Sequence, residues 1–116
     1  MLLKANYKEH KGAMFNLTKE MVAYVSQDGD YHNVYLDGRP FSISFHGSSS
    51  VVMERFPNLL RAHRGYYINP EKIFSLEHKP DNTVTIVFTD GKTLSFSKSK
   101  QLHESFLKEV EKNGQE

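Results

Sequence analysis

Phe41, Ile43 and Phe45 alternate strictly with polar neighbours. That is the period of a strand with one face buried and the other wet. Asp37-Gly38 stands before this run, and two other Asp-Gly signals recur along the chain. Asp28-Gly29-Asp30 separates the β-rich runs Val22–Ser26 and Tyr31–Leu36, and Asp90-Gly91 separates Val84–Phe88 from Leu94 and Phe96. Asp-Gly between apolar runs is a hairpin signal, because glycine reaches the positive φ of a tight turn without strain. Pro80-Asp81-Asn82 joins Ile73–Glu77 to Val84–Phe88, and Met14 and Phe15 within Ala13–Leu17 predict one more short strand. Helical spacing occurs twice. Gly47 and Ser48–Ser50 can cap a short helix holding Val52, Met53 and Phe56, which Pro57 helps to end. Ser97 or Ser99 is expected to cap a last helix with Leu102, Phe106, Leu107 and Val110 on one face and Gly114 beyond its end. The pattern predicts a mainly β chain with one short helix and a C-terminal helix.

A length of 116 residues means one domain, able to bury about two-thirds of its unfolded surface. The mean hydropathy of −0.57 is low for a core, but 8 Phe and 6 Tyr supply large buried areas. Phe15, Phe41, Phe45, Phe88 and Phe96 fall on the apolar phase of strands, which favours a core over an RNA-stacking surface. Tyr24, Tyr31 and Tyr35 fit either place. Cysteine is absent, which excludes disulfides and thiolate metal or redox sites and suits a reducing compartment. There is no run of 18 apolar residues and no signal-peptide pattern. The expectation is a soluble, cytoplasmic domain without membrane contact.

Candidate chemistry is sparse. The histidines (10, 32, 46, 63, 78 and 103) include no i, i+4 pair on a helix and no H-E-x-x-H, so neither a metal nor a cofactor is expected. Ser48–Ser50 lacks a nucleophile-elbow pattern, and no glycine-rich phosphate loop is present. No constellation supports catalysis. The net charge is +1, but it is unevenly spread. Residues 51–100 hold eight Lys/Arg against five Asp/Glu, whereas residues 101–116 hold two against four. This modest excess would not by itself indicate a nucleic-acid partner.

The densest cluster of unusual residues is LRAHRGYYINP, Leu60 to Pro70. Arg61, His63 and Arg64 offer cationic or donor groups from a segment too punctuated for a long helix. Tyr66, Tyr67 and Ile68 then read as a strand, and Asn69 before Pro70 is pushed into extended or turn geometry. On one strand Tyr66 and Tyr67 point to opposite faces, one toward a core and the other free to reach solvent or a phosphate. His63, flanked by arginines, reads as a packed, hydrogen-bonded residue that shapes the loop.

This run resembles the signature of the LytTR family of bacterial DNA-binding domains. The matching residues are Leu60, Arg61, His63, Arg64, Tyr66, Ile68 and Asn69, with Gly65 where the family usually has serine and Leu60 where it often has phenylalanine. Met21–Leu36 resembles the family's strand–turn–strand, Phe41–Phe56 its strand and short helix, and Thr93–Lys100 the approach to its last helix. The order and spacing of these pieces cover about residues 13–112.

The resemblance implies small antiparallel sheets packed together, and duplex DNA read by loops that enter successive major grooves. Carried over by position, the family's contacts fall on Asp30 or Tyr31 in the first hairpin turn, on Arg64, and on Lys98 at the start of the last helix. Arg61 and Lys100 are added as neighbouring cations. Arginine can read guanine bidentately, and lysine offers a mobile point charge. Lys98 replaces a frequent arginine, Asp30 a frequent asparagine or histidine, and Gly65 a hydroxyl that could bind phosphate. All three departures bear on which bases are read.

The expectation is therefore residues 1–12 as a linker or loosely attached segment, 13–113 as the DNA-binding domain and 114–116 as a tail. The domain would be the monomeric output module of a response-regulator type transcription factor in a two-component system. Its partners would be double-stranded DNA and a receiver or sensor domain not present in this chain. The alternative is a β-rich module that binds protein or single-stranded nucleic acid.

Overall fold

Strand β3 (Val22–Asp28) has neighbours on both sides. The computed structural model describes residues 3–4, 14–15, 17–40, 42–81, 83–97 and 102–113. In chain order the elements begin with β1 (Leu3–Lys4) and β2 (Met14–Phe15), which pair with each other in a short ribbon. β3 then pairs antiparallel with β4 (Tyr31–Leu36) and, on its other edge, with β7 (Tyr66–Ile68). β5 (Ser42–His46) extends the sheet beyond β4, and β6 (Leu60–His63) extends it beyond β7. The result is a five-stranded sheet ordered β5-β4-β3-β7-β6. β8 (Ile73–His78), β9 (Val84–Phe88) and β10 (Thr93–Phe96) form a separate three-stranded antiparallel sheet. The helices are α1 (Ser49–Arg55) and α2 (Glu104–Asn113).

The four residues Val22–Val25 are all buried, although a strand should alternate. A register shift opposite Leu36 and Tyr35 accounts for this. Val22 and Val25 join one cluster with Val34, Leu36, Ile43, Phe45, Val52, Phe56, Leu59 and Tyr67. Ala23 and Tyr24 join another with Ala62, Ile68, Ile86, Phe88, Phe96 and Phe106. The five-stranded sheet is thus covered on both faces, by α1 on one and by the three-stranded sheet and α2 on the other. Phe56, 1% exposed, closes the α1 side; truncating such a side chain costs about 3–5 kcal/mol.

Ser48 precedes α1 in extended geometry, as its N-cap position requires. The three Asp-Gly hairpins and the Pro80 turn form where they were expected, and Ile43 and Phe45 are buried. Phe41 lies outside the described residues.

One expectation is corrected and two are sharpened. Leu60–His63, expected only to be too punctuated for a long helix, is a strand whose backbone pairs with β7 across the Arg64–Gly65 turn. The last helix starts at Glu104, seven residues beyond Ser97. His103 N–H donates to Ala62 O at 2.7 Å and Leu107 N–H to His103 O at 3.1 Å, so His103 stands at its start. Glu104 then suits the positive end of the helix dipole. Ser99 and Gly114 lie outside the described residues. Finally, Tyr66 and Tyr67 point to opposite faces, Tyr67 buried and Tyr66 half-buried. Tyr67 is in the α1-side cluster, and Tyr66 packs against Phe96 at 5.1 Å on the other side.

The two sheets are tied at one end by a polar cluster. Asp90 accepts from Gly38 N–H at 2.8 Å, from Lys92 N–H at 3.0 Å and from Lys92 Nζ. Lys92 Nζ also donates to Leu36 O at 2.8 Å, and Lys72 pairs with Asp37 at 3.3 Å. Burial would raise the Asp90 carboxyl, but these bonds from Lys92 and Gly38 outweigh it and hold it at about 2. Asn69 secures the opposite flank of β3. Its side chain donates to Val22 O at 2.9 Å and accepts from Glu71 N–H at 3.1 Å.

Candidate nucleic-acid interface

β3 carries two tight turns to the same end of the five-stranded sheet. Asp28 lies opposite Tyr31, so the strand closes its hairpin with β4 through Gly29 and Asp30. Ser26 lies opposite Tyr66, and Gln27 N–H donates to Gly65 O at 2.7 Å, which brings the Arg64–Gly65 turn alongside. Gly29 and Gly65 have φ of +61° and +85°, and both turns need glycine at those places. The end of β5 arrives at the same edge. Tyr31 pairs with His46, and Gly47 N–H donates to Asp30 O at 3.1 Å.

Arg64 is exposed at the tip of its turn. Among the described residues no carboxylate lies within ion-pair distance of it. Its carbonyl is held from behind by His63 Nδ1 at 2.8 Å. A carbonyl only accepts, so Nδ1 carries the proton. The His63 ring stands among Tyr66, Phe96 and His103, at centroid distances of 6.1, 5.9 and 6.5 Å. The histidine is a post that fixes the turn backbone, and the guanidinium projects from it.

Asp30 and Tyr31 are exposed in the neighbouring turn. The Tyr31 ring leans on His46 edge-on at 5.3 Å. Arg61 is not brought to this group. It lies in β6, the outer strand of the sheet, with its guanidinium over the Tyr67 ring at 5.9 Å. Lys98 and Lys100 lie outside the described residues. The chain on either side of them is described. Phe96 packs on His63, and His103 is bonded to Ala62.

Three residues here escaped sequence reasoning. Gln27 Oε1 accepts from Ser49 Oγ at 3.3 Å, and Ser49 Oγ in turn stands 3.4 Å from His32 Nε2. His32 is 1% exposed. Burial lowers its pKa, partly opposed by the Gly47 backbone, so it is neutral. The usable signal was its phase: His32, Val34 and Leu36 occupy alternate positions and all face inward.

Neither helix offers comparable chemistry. The exposed residues of α2 include Glu104, Glu109 and Glu111 against Lys108, which repel phosphate. Among the described residues no group of His, Asp and Glu could hold a metal, and no helix is long and apolar enough to cross a membrane.

The family model of the LytTr DNA-binding domain matches residues 12–106. Among solved structures, the LytTr DNA-binding domain of a Bacillus cereus protein described as a methyl-accepting/DNA response regulator superposes with a TM-score of 0.64. It is 14% identical, and the match covers 94% of each chain. At that identity the likeness is one of fold. No curated protein matches the chain.

Proposed function

The chain belongs to the LytTR family of DNA-binding domains, and we propose that it binds double-stranded DNA sequence-specifically, as the output domain of a bacterial transcription regulator in the cytoplasm. The observation that carries this reading is the placement of the Asp30–Tyr31 and Arg64–Gly65 turns side by side at one end of a single sheet, joined by the Gln27–Gly65 hydrogen bond. Two adjacent protruding turns suit two neighbouring stretches of groove.

Arg64 is the base reader. Its guanidinium is exposed, unpaired among the described residues and mounted on a fixed backbone, and it can give two parallel hydrogen bonds to one guanine. Asp30 can accept from cytosine N4, and Tyr31 offers a hydroxyl to phosphate or base. Lys98 and Lys100 supply charge to the backbone, and Arg61 reaches phosphate from the sheet edge. Residues 13–113 are the binding unit, with 1–12 as the connection to a receiver or sensor domain. No covalent chemistry is involved.

A fluorescence competition tests this reading. A labelled duplex chosen by selection from random sequences should be displaced by unlabelled duplex of the same sequence, and at least about tenfold less well by either single strand or by a scrambled duplex. Equal displacement by single strands would move the function to the other nucleic-acid reading. Absence of any binding would leave a protein-binding module.

A further inference from the structure

The first hairpin turn is acidic. Asp28 and Asp30 are exposed there, beside the exposed ring of Tyr31. From Val22 to Glu54 the only Lys or Arg in the sequence is Arg39. Arg39 follows the other end of the six-residue strand β4, so at least about 17 Å of strand separates it from Tyr31. Arg64 flanks the turn on one side, across β3 and β7. On the other side a DNA backbone meets carboxylates and, among the described residues, neither Lys nor Arg. A hold on that side therefore needs a different donor.

β5 brings one to the place. His46 is exposed at the end of that strand, directly opposite Tyr31 in register, and the two rings meet edge-on at 5.3 Å. The backbone beside it is fastened to the turn, since Gly47 N–H donates to Asp30 O at 3.1 Å. Among the described residues no carboxylate lies within ion-pair distance of His46, and neither ring nitrogen takes part in a hydrogen bond. An imidazole carries at least one N–H whether neutral or charged, and here that donor is unengaged. We propose that His46 is a phosphate contact, donating a ring N–H to the DNA backbone that walls the groove entered by the first turn, on the side away from Arg64.

The spacing of the sheet supports this. Neighbouring strands lie about 4.8 Å apart, which puts β5 about 7 Å from the midline of the β3–β4 hairpin. The major groove is about 12 Å wide, so a turn seated along its middle has a phosphate wall about 6 Å to either side. The end of β5 therefore comes over one wall when the turn occupies the groove. A phosphate contact carries no sequence information of its own. His46 sets where Asp30 and Tyr31 sit in the groove and leaves the reading to them. This contact rests on the DNA-binding reading and names the piece of backbone that holds the first turn in place.

The test compares the parent with His46→Ala and His46→Gln on a selected duplex and on a scrambled one. His46→Ala should weaken binding to both by about fivefold, the loss expected for one hydrogen bond to a charged group. His46→Gln, whose amide N–H can also donate to phosphate, should recover most of that loss. The three thermal melts should coincide, because the side chain is exposed. Single methylphosphonate substitutions, which remove the charge of one phosphate at a time, then locate the contact. At one position the substitution should weaken the parent and leave His46→Ala unaffected. Unchanged duplex affinity of His46→Ala would overturn the contact and leave the DNA-binding reading standing. So would a loss confined to the selected sequence, a lowered melt without recovery by His46→Gln, or the same methylphosphonate profile in parent and variant. A parent that binds no duplex would refute the DNA-binding reading and the contact with it.

Discussion

Arg64 owes its position to backbone contacts. Its carbonyl is pinned by His63, its turn is bonded to Gln27, and its own side chain is left exposed. Arg64→Ala should therefore leave the thermal melt within about 0.5 kcal/mol of the parent. The same change should cost about 1–3 kcal/mol on the preferred duplex and relax specificity at one base position, as read by binding to single-base variants of the site. A large drop in stability with unchanged base preference would make Arg64 scaffold instead. Gly65 beside it has φ of +85°, and an added Cβ would meet Gln27 at 3.8 Å, an ordinary contact. Space is not the obstacle; backbone conformation is. Gly65→Ser, which restores the residue usual in relatives, should cost about 1–2 kcal/mol in a denaturant melt. The readable residues were those with a pattern. Arg64 and Gly65 stood out through the motif, whereas Gln27 and Ser49 did not, because their importance comes from contacts far apart in sequence, Ser49 meeting His32 across 17 residues and Gln27 across 22.

At the scale of elements, the tie between sheets is the testable part. Asp90 is held at about 2, below the ordinary carboxylate value, by Lys92 and Gly38. A carboxyl depressed on folding contributes stability that is complete above its unfolded pKa of about 3.9 and is lost as pH falls through the folded value. Asp90→Asn should therefore destabilise at neutral pH, by about 1–3 kcal/mol for a broken buried hydrogen-bond set. The difference from the parent should shrink between about pH 4 and pH 2, as followed by melts across that range. Hairpins were the legible elements, since Asp-Gly punctuation is local chemistry. β6 was hidden because only three residues of it meet β7 in register, and its sequence spends two of four positions on Arg61 and His63. The start of α2 was misplaced because serine is a good cap wherever it stands, and what selects His103 is a bond to Ala62, 41 positions away in the chain.

For the molecule as a whole, binding should be electrostatic in its salt response despite a net charge of only +1. If about five phosphates are neutralised, log K should fall against log salt with a slope of roughly −4 to −5. A flat response would sink the DNA-binding reading. The domain alone should sediment as a monomer at micromolar concentration. Among the described residues its exposed large apolar side chains, Met21, Tyr31, Val51 and Phe74, are few and come from four separate elements, less than the broad apolar patch that a stable dimer buries. Composition could not show this distribution. Lys72, Lys79, Lys92 and Lys108 are engaged with carboxylates, and which cations remain available is decided by folding.

The shared strand β3 has one more consequence, for how such a protein could change over generations. The interval between its two turns is written in main-chain pairing, Asp28 with Tyr31 on one edge and Ser26 with Tyr66 on the other. Side chains at the tips can be exchanged without disturbing that pairing, but moving one turn relative to the other means slipping a strand, and a slip of one residue would send every buried side chain of that strand to the wrong face. Descendants of this chain can therefore acquire new letters in their target far more readily than a new distance between them. A library randomised at residues 30, 31 and 64 should return altered base preferences at an unaltered spacing.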